Sequence, residues 1–323
     1  MHKDLNAMKG GVGKMGKSWE EEKRVPPIAL ASKAEVIAAK SGSTPKKGKR
    51  GRQPEKGGIK FTGLLGALVK HKNQNKGHQA RFRVYCRKKL GYEILFPDTS
   101  NNRYQSHGYA ATEVVHHRQL YVDFLLNVRD QKAMSGGLNH MEENILNGLG
   151  DDATFTELQV LTLYSQAISL PLSQLARAPY HQSRNGLDLG GEFDRLLKHL
   201  KAIVDDPDIL IGPDVSWAAA TLDGQPWYDP EPIAIILHDR GRYPHLRSAL
   251  VAFFKGALET WKSFTRDILG NPKVLTATPE QRYMAFRRPA NDLNEGALGH
   301  LRRAYRAFSC LTFKQLNARL MCK

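Results

Sequence analysis

Residues 11–18 read GVGKMGKS and match the phosphate-loop pattern G-x-x-x-x-G-K-[ST]. In such a loop Lys17 would contact the nucleotide phosphates and Ser18 would bind the magnesium ion. The loop requires a buried strand before it and a helix after it, because backbone N–H groups and the helix N-terminus hold the phosphates. Here the preceding residues are few and mostly polar, and Pro26 and Pro27 interrupt the following ones. We therefore favour a Gly/Lys-rich connector that matches by composition, and a nucleotide-hydrolysing enzyme stays as an alternative.

Two groups of side chains raise the question of a metal site. His107, His116 and His117 are close in sequence, but adjacent residues of a helix point about 100° apart, and no Cys or carboxylate stands beside them at a metal-finger spacing. The acidic run at residues 205–208 could hold a cation, although such runs more often cap helices and are solvated. We therefore predict no metal ligands and no cofactor.

Positive charge is concentrated in the first third of the chain. Residues 1–91 hold 23 Lys+Arg against 6 Asp+Glu, a net charge of +17, whereas residues 92–323 hold 25 against 26. Such asymmetry is typical of contact with a polyanion such as DNA, because each neutralised phosphate releases counterions. The stretch PKKGKRGRQPEKGG has no apolar residue, and it predicts a disordered linker at about 41–58. Its cations are the main candidate nucleic-acid contacts, namely Lys46, Lys47, Lys49, Arg50 and Arg52.

The same run has two further interpretations, a nuclear-import signal and a solvated linker that no receptor reads. No apolar run approaches the roughly 18 residues that a membrane span needs, and the N-terminus has no signal-peptide core. Cys86, Cys310 and Cys322 are odd in number and form no CxxC pair. We therefore expect an intracellular protein, nuclear rather than cytoplasmic, with no membrane contact.

Apolar residues recur at helical spacing over most of the chain. The clearest stripe spans residues 246–264 and ends before Gly270 and Pro272, as expected of a helix end. The only strand-like run is IAIILHD at 233–239, and residues 205–232 look like a long loop. We therefore predict a mainly α fold, a helical bundle-like domain with a flexible basic N-terminal third and little or no β-sheet. The other predicted helices are 109–130, 154–168 and 293–308, with shorter candidates at 28–40, 59–71, 78–90, 138–148 and 190–204.

Several whole phrases resemble a fungal family of transposon-derived proteins, related to the hAT-like transposases of the ribonuclease-H-fold group. The resemblance covers nearly the whole chain outside the basic linker, in order, and implies that the helical domain corresponds to a transposase insertion domain. The phrases are MHKDLNAMKGG, FPDTSNNRYQSHGYAATEVVHH, VRDQKAMSGGLNHMEENILNGL, FTELQVLTLYSQAIS, GPDVSWAAATLDGQPW, PHLRSALVAFFKGALETWKSFT and ANDLNEGALGHLRRAYR.

The resemblance also assigns parts of the transposase pattern. In hAT-like transposases a Cys-x-x-His-x-Leu-Asn phrase precedes a Thr-Arg-Trp-x-Ser phrase, and a helical insertion follows before the last catalytic carboxylate. MHKDLN resembles the first phrase and NNRYQSH the second, which makes 109–290 the insertion and Glu295 the last carboxylate. The two catalytic aspartates of the pattern would lie upstream of MHKDLN. We therefore expect residues 1–25 to be a poorly ordered remnant, 26–91 a basic and partly helical region, and 92–323 a helical domain.

One carboxylate cannot organise strand transfer, which uses divalent metal held by several carboxylates. Glu295 also has a structural interpretation, because Asp292 stands three residues before it in a capping-box arrangement. Three function classes remain: a catalytically incomplete transposase-derived fragment with residual non-specific DNA binding, a domesticated nucleic-acid-binding or adaptor protein, and the nucleotide hydrolase. Further phosphate contacts are predicted on the helix after Glu295, at Arg302, Arg303 and Arg306, where a solvated helix face is the alternative.

Overall fold

The computed structural model describes residues 2–31, 37, 56–70, 78–99, 104–177, 185–286, 288 and 292–321. Within these ranges the fold is α-helical with no β-strand, and a single antiparallel bridge joins Ala29 to Lys56. The mainly α prediction is confirmed. The helices are α1 His2–Glu21, α2 Gly57–Val69, α3 Gln79–Leu90, α4 Tyr104–Gln131, α5 His140–Gly150, α6 Asp152–Tyr164, α7 Leu170–Arg177, α8 Gly190–Asp205, α9 Asp208–Ile211, α10 Trp217–Ala220, α11 Pro230–Asp239, α12 Leu246–Leu269, α13 Pro272–Leu275, α14 Pro279–Met284, α15 Asp292–Ala307 and α16 Phe313–Met321.

Helix α6 and the π-helical turn after it, Ser165–Ser169, form the interior of the bundle. Every residue from Thr154 to Ser169 is buried, because α2, α4 and α12 pack around this segment. Two of its threonine hydroxyls bond within the helix: Thr156 donates to the Asp152 carbonyl at 2.7 Å and Thr162 to the Leu158 carbonyl at 2.9 Å. The π turn holds the long connection that follows, since the Ala167 carbonyl accepts the Leu222 N–H at 2.8 Å.

The stripe predicted at 246–264 forms the 24-residue helix α12, which packs against α1, α6 and α8. Leu250, Phe253, Ala257 and Trp261 are buried at spacings of three and four residues, which is the period of one helix face. Gly270 follows the last residue, as the sequence indicated. Phe253 and Phe254 meet Tyr164 of α6 edge to face, so aromatic packing joins the two helices.

Residues 1–25 are not the poorly ordered remnant that we expected. Residues 2–21 form helix α1, which buries Ala7, Met8, Val12 and Met15 in the main core. Its most extensive packing is with α12. We missed this helix because its glycine content lowers helix propensity, and packing of one face compensates for that deficit.

The core also crosses the predicted domain boundary at residue 92. Phe82 and Cys86 of α3 are fully buried, and the Phe82 ring stacks on Tyr121 of α4 at 5.1 Å between ring centroids. Helix α2 packs against α4, α5 and α6. The described parts of residues 1–91 therefore belong to the same core as the helices that follow.

Other helix predictions had mixed outcomes. The candidates at 59–71, 78–90, 138–148 and 190–204 are confirmed as α2, α3, α5 and α8. The strand-like run 233–239 is instead part of α11, which starts with Pro230 in its first turn and buries Ile233 and Ile236 on one face. The predicted loop 205–232 contains the one-turn helices α9 and α10. Residues 28–31 are not helical, and the remainder of the 28–40 candidate lies outside the described residues apart from position 37.

Candidate nucleic-acid interface

The phosphate-loop match lies in the interior of α1. Residues 11–18 are helical throughout, so their backbone N–H groups belong to the helix rather than to an open loop. The Ser18 hydroxyl donates to the Met15 carbonyl at 2.7 Å, and Lys17 is exposed on the outer face. No strand precedes this segment within the described residues. The arrangement therefore lacks the loop geometry that phosphate binding requires.

Two glycines at the start of the match, Gly10 just before it and Gly11 within it, have a packing role instead. A Cβ at Gly10 would lie 2.0 Å from the Thr260 Oγ1 atom of α12, and a Cβ at Gly11 would lie 2.8 Å from the Phe253 ring. A Cβ on Gly13 or Gly16, in contrast, would meet no neighbouring atom within 4 Å. The glycines on the inner face thus let α1 approach α12 closely, whereas Gly13 and Gly16 border open space.

The sequence-predicted linker cations cannot be placed. Lys46, Lys47, Lys49, Arg50 and Arg52 all lie outside the described residues, as does most of the predicted 41–58 linker. Of that linker, Lys56 pairs with Glu20 of α1 at 3.6 Å, and the two glycines that follow begin α2. The disorder predicted for the linker and its phosphate contacts stay predictions.

The three predicted arginines of α15 are exposed, as a phosphate contact requires. Arg302, Arg303 and Arg306 lie on one side of this helix. Glu295 lies in the first turn of α15, but its side chain is outside the described residues, so its catalytic and capping interpretations both stay predictions. The structure thus gives the arginines a helical support and an open surface.

Helix α3 carries a basic face that sequence reasoning missed. Its 12 residues include five cations and no acidic residue, namely Arg81, Arg83, Arg87, Lys88 and Lys89. Arg83 and Arg87 both pair with Glu93, while Lys88 and Lys89 are exposed. Part of this charge has a local explanation, since cations in a last turn interact favourably with the helix dipole. The signal in the sequence was the run RFRVYCRKK, whose five cations outnumber the one nearby carboxylate, Glu93.

His107 lies apart from the adjacent pair His116 and His117. Burial lowers the pKa of His107 to about 4, and its Nδ1 atom lies 2.8 Å from the Thr62 hydroxyl of α2. His116 and His117 stack at 4.0 Å where α4 kinks at His117. Burial, reinforced by the neighbouring His116, lowers the pKa of His117 to about 4. With a pKa of about 4, the His107 and His117 rings are neutral at pH 7, which suits packing within the bundle.

The acidic run at 205–208 forms caps and ion pairs. Asp205 pairs with Lys201, the Asp206 carboxylate accepts the Asp208 N–H at 3.0 Å, and Asp208 pairs with Arg247. All three aspartates are exposed. Across the described part of the chain no three His, Cys, Asp or Glu side chains are grouped so that they could hold a metal ion.

Three buried carboxyl groups connect helices in the interior. Burial raises the pKa of Asp4, which accepts the Tyr164 hydroxyl at 2.9 Å, and Trp261 donates to that hydroxyl at 3.2 Å. This chain of bonds links α1, α6 and α12. Burial also raises the pKa of Glu157 to about 7, even though its carboxylate accepts the Trp19 indole N–H and the Gly58 N–H.

The third buried carboxyl group, Glu142, has the opposite balance. Although burial acts to raise its pKa, hydrogen bonds from Lys132, His78 and the Asn139 N–H lower it overall. The Lys132 Nζ atom lies 2.7 Å from the Glu142 carboxylate, and the His78 Nε2 atom lies 2.6 Å from it. Asn139 and Glu142 form a capping box at the start of α5. Each of the three buried carboxyl groups therefore has a structural role in joining helices.

Comparison with protein-family models, with curated proteins and with solved structures finds no match for this chain. None of the described helices is long and apolar enough to cross a membrane. The functional assignment therefore depends on the charge and geometry described above and on the resemblance of the sequence phrases.

Proposed function

We propose that this protein is transposase-derived and binds DNA without sequence specificity through the cations of its first 91 residues. The observation that carries the proposal is helix α3, whose 12 residues include five Lys and Arg side chains; Glu93 pairs with two of them, and Lys88 and Lys89 are exposed. This helix is anchored in the core through Phe82 and Cys86, so its exposed cations are held on a rigid support. A fixed array of cations suits the regular spacing of duplex phosphates.

The charge distribution supports the same proposal at longer range. Residues 1–91 carry a net charge of +17, whereas the remainder of the chain is close to neutral. A field of one sign attracts a polyanion and speeds its association. Contacts from Lys and Arg to phosphates carry no sequence information, and for this reason we propose binding without specificity.

Paired substitutions on two helices test the role of α3. Lys88→Gln with Lys89→Gln removes two exposed cations from α3, and Lys198→Gln with Lys201→Gln removes two exposed cations from α8 as the matched control. We expect the α3 pair to weaken binding to a mixed-sequence duplex by about ten-fold at 0.1 M salt and to lower the salt slope by roughly 1–2. The α8 pair should bind as the unaltered protein does, because Lys198 and Lys201 are engaged by Asp194 and Asp205. Equal losses in both pairs would show that only total charge matters.

A nuclear location is part of the proposal, on the basis of the run PKKGKRGR at residues 45–52. A fluorescent fusion of the full chain should concentrate in the nucleus, and Lys46→Ala with Lys47→Ala and Lys49→Ala should make it diffuse. Uniform fluorescence from the unaltered fusion would contradict this part of the proposal.

A second candidate function, an adaptor built on the helical domain, is favoured by one observation. Helices α15 and α16 expose large apolar side chains that no described element covers. The two functions are compatible, since the DNA proposal concerns residues 1–91 and the adaptor proposal concerns residues 292–321.

A further inference from the structure

The last two helices form a hairpin, residues 292–321, whose apolar side chains stay largely in solvent. Leu298 is 64% exposed, Tyr305 58%, Phe313 71% and Met321 79%. Among the hairpin side chains that the structure describes, Leu316 is the one large apolar residue that is buried, at 1% exposure, and it lines a cavity of about 400 Å³ between the two helices. The main core cluster, in the described part of the chain, contains no residue beyond Leu269.

The apolar side chains of α15 form a single stripe. Leu298, Leu301, Tyr305 and Phe308 recur at spacings of three and four residues, which places them on the same face of the helix. A stripe of this kind normally packs against a core, but here its members are half-buried or exposed. Contiguous exposed apolar surface with a polar rim is typical of a site where another macromolecule binds.

Two cations lie beside this stripe, Arg302 and Arg319. The described side chains between residues 294 and 321 include five cations, namely Arg302, Arg303, Arg306, Lys314 and Arg319, whereas the side chains of the hairpin's two acidic residues, Asp292 and Glu295, lie outside the described ones. Arg302 is four residues after Leu298 and three before Tyr305, so it lies at the edge of the stripe. Arg319 of α16 lies over the Phe308 ring at 4.1 Å, where it keeps its charge beside the apolar surface.

We infer that the hairpin is a docking surface for an acidic amphipathic helix of another protein. Leucines or other apolar residues of that helix would cover Leu298, Tyr305 and Phe313, and its carboxylates would pair with the arginines along the rim. Complementary charge across such a rim selects the partner and orients it, while the apolar contact contributes most of the affinity. Recognition by this mode requires apolar anchors at i, i+3 or i+4 and i+7 on the partner.

Two other occupants fit the surface less well. A second copy of the chain would bring two sets of five cations together, and like charges across an interface oppose association. A nucleic acid would pair with the arginines and could stack on Tyr305, but it offers nothing apolar to cover Leu298 and Met321. The combination of aliphatic stripe and cationic rim therefore favours an acidic helix. This inference does not depend on DNA binding by residues 1–91.

The test uses the full chain and two synthetic helical peptides of identical length. Both carry Leu at the a and d positions of a heptad pattern, and one has Glu and the other Lys at the flanking positions. Fluorescence anisotropy of the labelled peptides measures affinity. We expect the Glu peptide to bind and the Lys peptide to bind at least ten-fold more weakly.

Variants then locate the site on the protein. Leu298→Ser with Tyr305→Ser should weaken the Glu peptide about ten-fold, and Arg302→Glu should weaken the Glu peptide while it strengthens the Lys peptide. Tyr283→Ser is the control, because Tyr283 is 80% exposed but lies outside the hairpin. All these side chains are exposed or half-buried at the surface, so the fold should tolerate the changes.

Several results would overturn the inference. The two peptides could bind equally, or the hairpin variants could bind the Glu peptide as well as the Tyr283→Ser control does. Sedimentation could show a dimer that Leu298→Ser with Tyr305→Ser dissociates, which would assign the face to a second copy. Loss of duplex binding in that same double variant, with peptide binding unchanged, would assign the face to nucleic acid.

Discussion

Gly10 of α1 and Gly256 of α12 lie in direct backbone contact: a Cβ on Gly256 would stand 2.5 Å from the Gly10 carbonyl oxygen. The same Cβ would lie 2.9 Å from the Lys14 Cβ atom. Backbone atoms cannot move aside as the end of a side chain can. This crossing fixes α1 on the core, whereas α2 is attached by its own contacts with α4, α5 and α6.

The first prediction concerns this crossing. Gly256→Ala should lower the free energy of unfolding by about 1–3 kcal/mol, because the added methyl group forces α1 and α12 apart. Gly13→Ala is the matched control, since nothing lies within 4 Å of its Cβ position, and it should stabilise the protein by up to about 1 kcal/mol through helix propensity. Urea denaturation followed by circular dichroism measures both. If Gly256→Ala were as stable as Gly13→Ala, the described contact between the helices would be wrong.

The second prediction is a pH dependence at Glu157. Its pKa is raised to about 7 in the folded protein, above the ordinary value of 4.5, so the folded state holds a proton that the unfolded state releases. Stability contributed by this group is therefore present below about pH 4.5 and is lost as pH rises to about 7. The difference in unfolding free energy between the native protein and Glu157→Gln should fall by roughly 3 kcal/mol across this window.

Glu143→Gln removes an exposed carboxylate from the nearby helix α5 and serves as the control for loss of one acidic group. A difference between native protein and Glu157→Gln that stays level from pH 4.5 to 7 would show that the carboxyl group is solvated. In that case the burial of Glu157 would not be as described.

The third prediction has the opposite sign. The pKa of Glu142 is lowered by Lys132, His78 and the Asn139 N–H, which together outweigh its burial. Its contribution to stability is present above about pH 4.5 and is lost as pH falls below the folded pKa. Glu142→Gln should therefore cost about 3 kcal/mol at pH 7, since it leaves Lys132 without its buried partner, and should cost less in acid. An equal cost at pH 7 and pH 3 would contradict the ion pair.

The fourth prediction tests the bonds from Asp4 through Tyr164 to Trp261. Tyr164→Phe removes the hydroxyl that donates to Asp4 and accepts from the Trp261 indole, so two buried groups lose a partner. We expect a loss of about 1–3 kcal/mol by thermal or urea denaturation. Tyr283→Phe, at an exposed position, should change stability by less than about 0.5 kcal/mol. Equal stability of the two variants would remove this chain of bonds from the account of how α1 is held.

The helices that sequence predicted best were those with one continuous apolar stripe. Residues 246–264 show this, because Leu250, Phe253 and Trp261 share a face that water cannot hydrate favourably. Helix α1 was missed because its inner face includes Gly11, whose contribution is the space that it leaves for the Phe253 ring. A run of letters does not show which glycines face a neighbouring helix.

The candidate interface was predicted only in part. The arginines of α15 were expected to be exposed, and Arg302, Arg303 and Arg306 all are. The basic face of α3 was not predicted, because Arg83 and Arg87 are interleaved with Phe82 and Cys86 and the run does not read as a charge cluster. The folded helix separates the two sets, with the apolar residues inside and the cations outside.

The most direct test of the proposed function is the salt dependence of DNA binding by the unaltered protein. Two mixed-sequence duplexes of unrelated sequence would be titrated with the full chain between about 50 and 300 mM salt. We predict equal affinity for both duplexes. The logarithm of the binding constant should fall linearly with the logarithm of the salt concentration, with a slope that corresponds to several phosphate contacts. No binding at the lowest salt, or binding that salt leaves unchanged, would contradict a DNA-binding role for the basic N-terminal third.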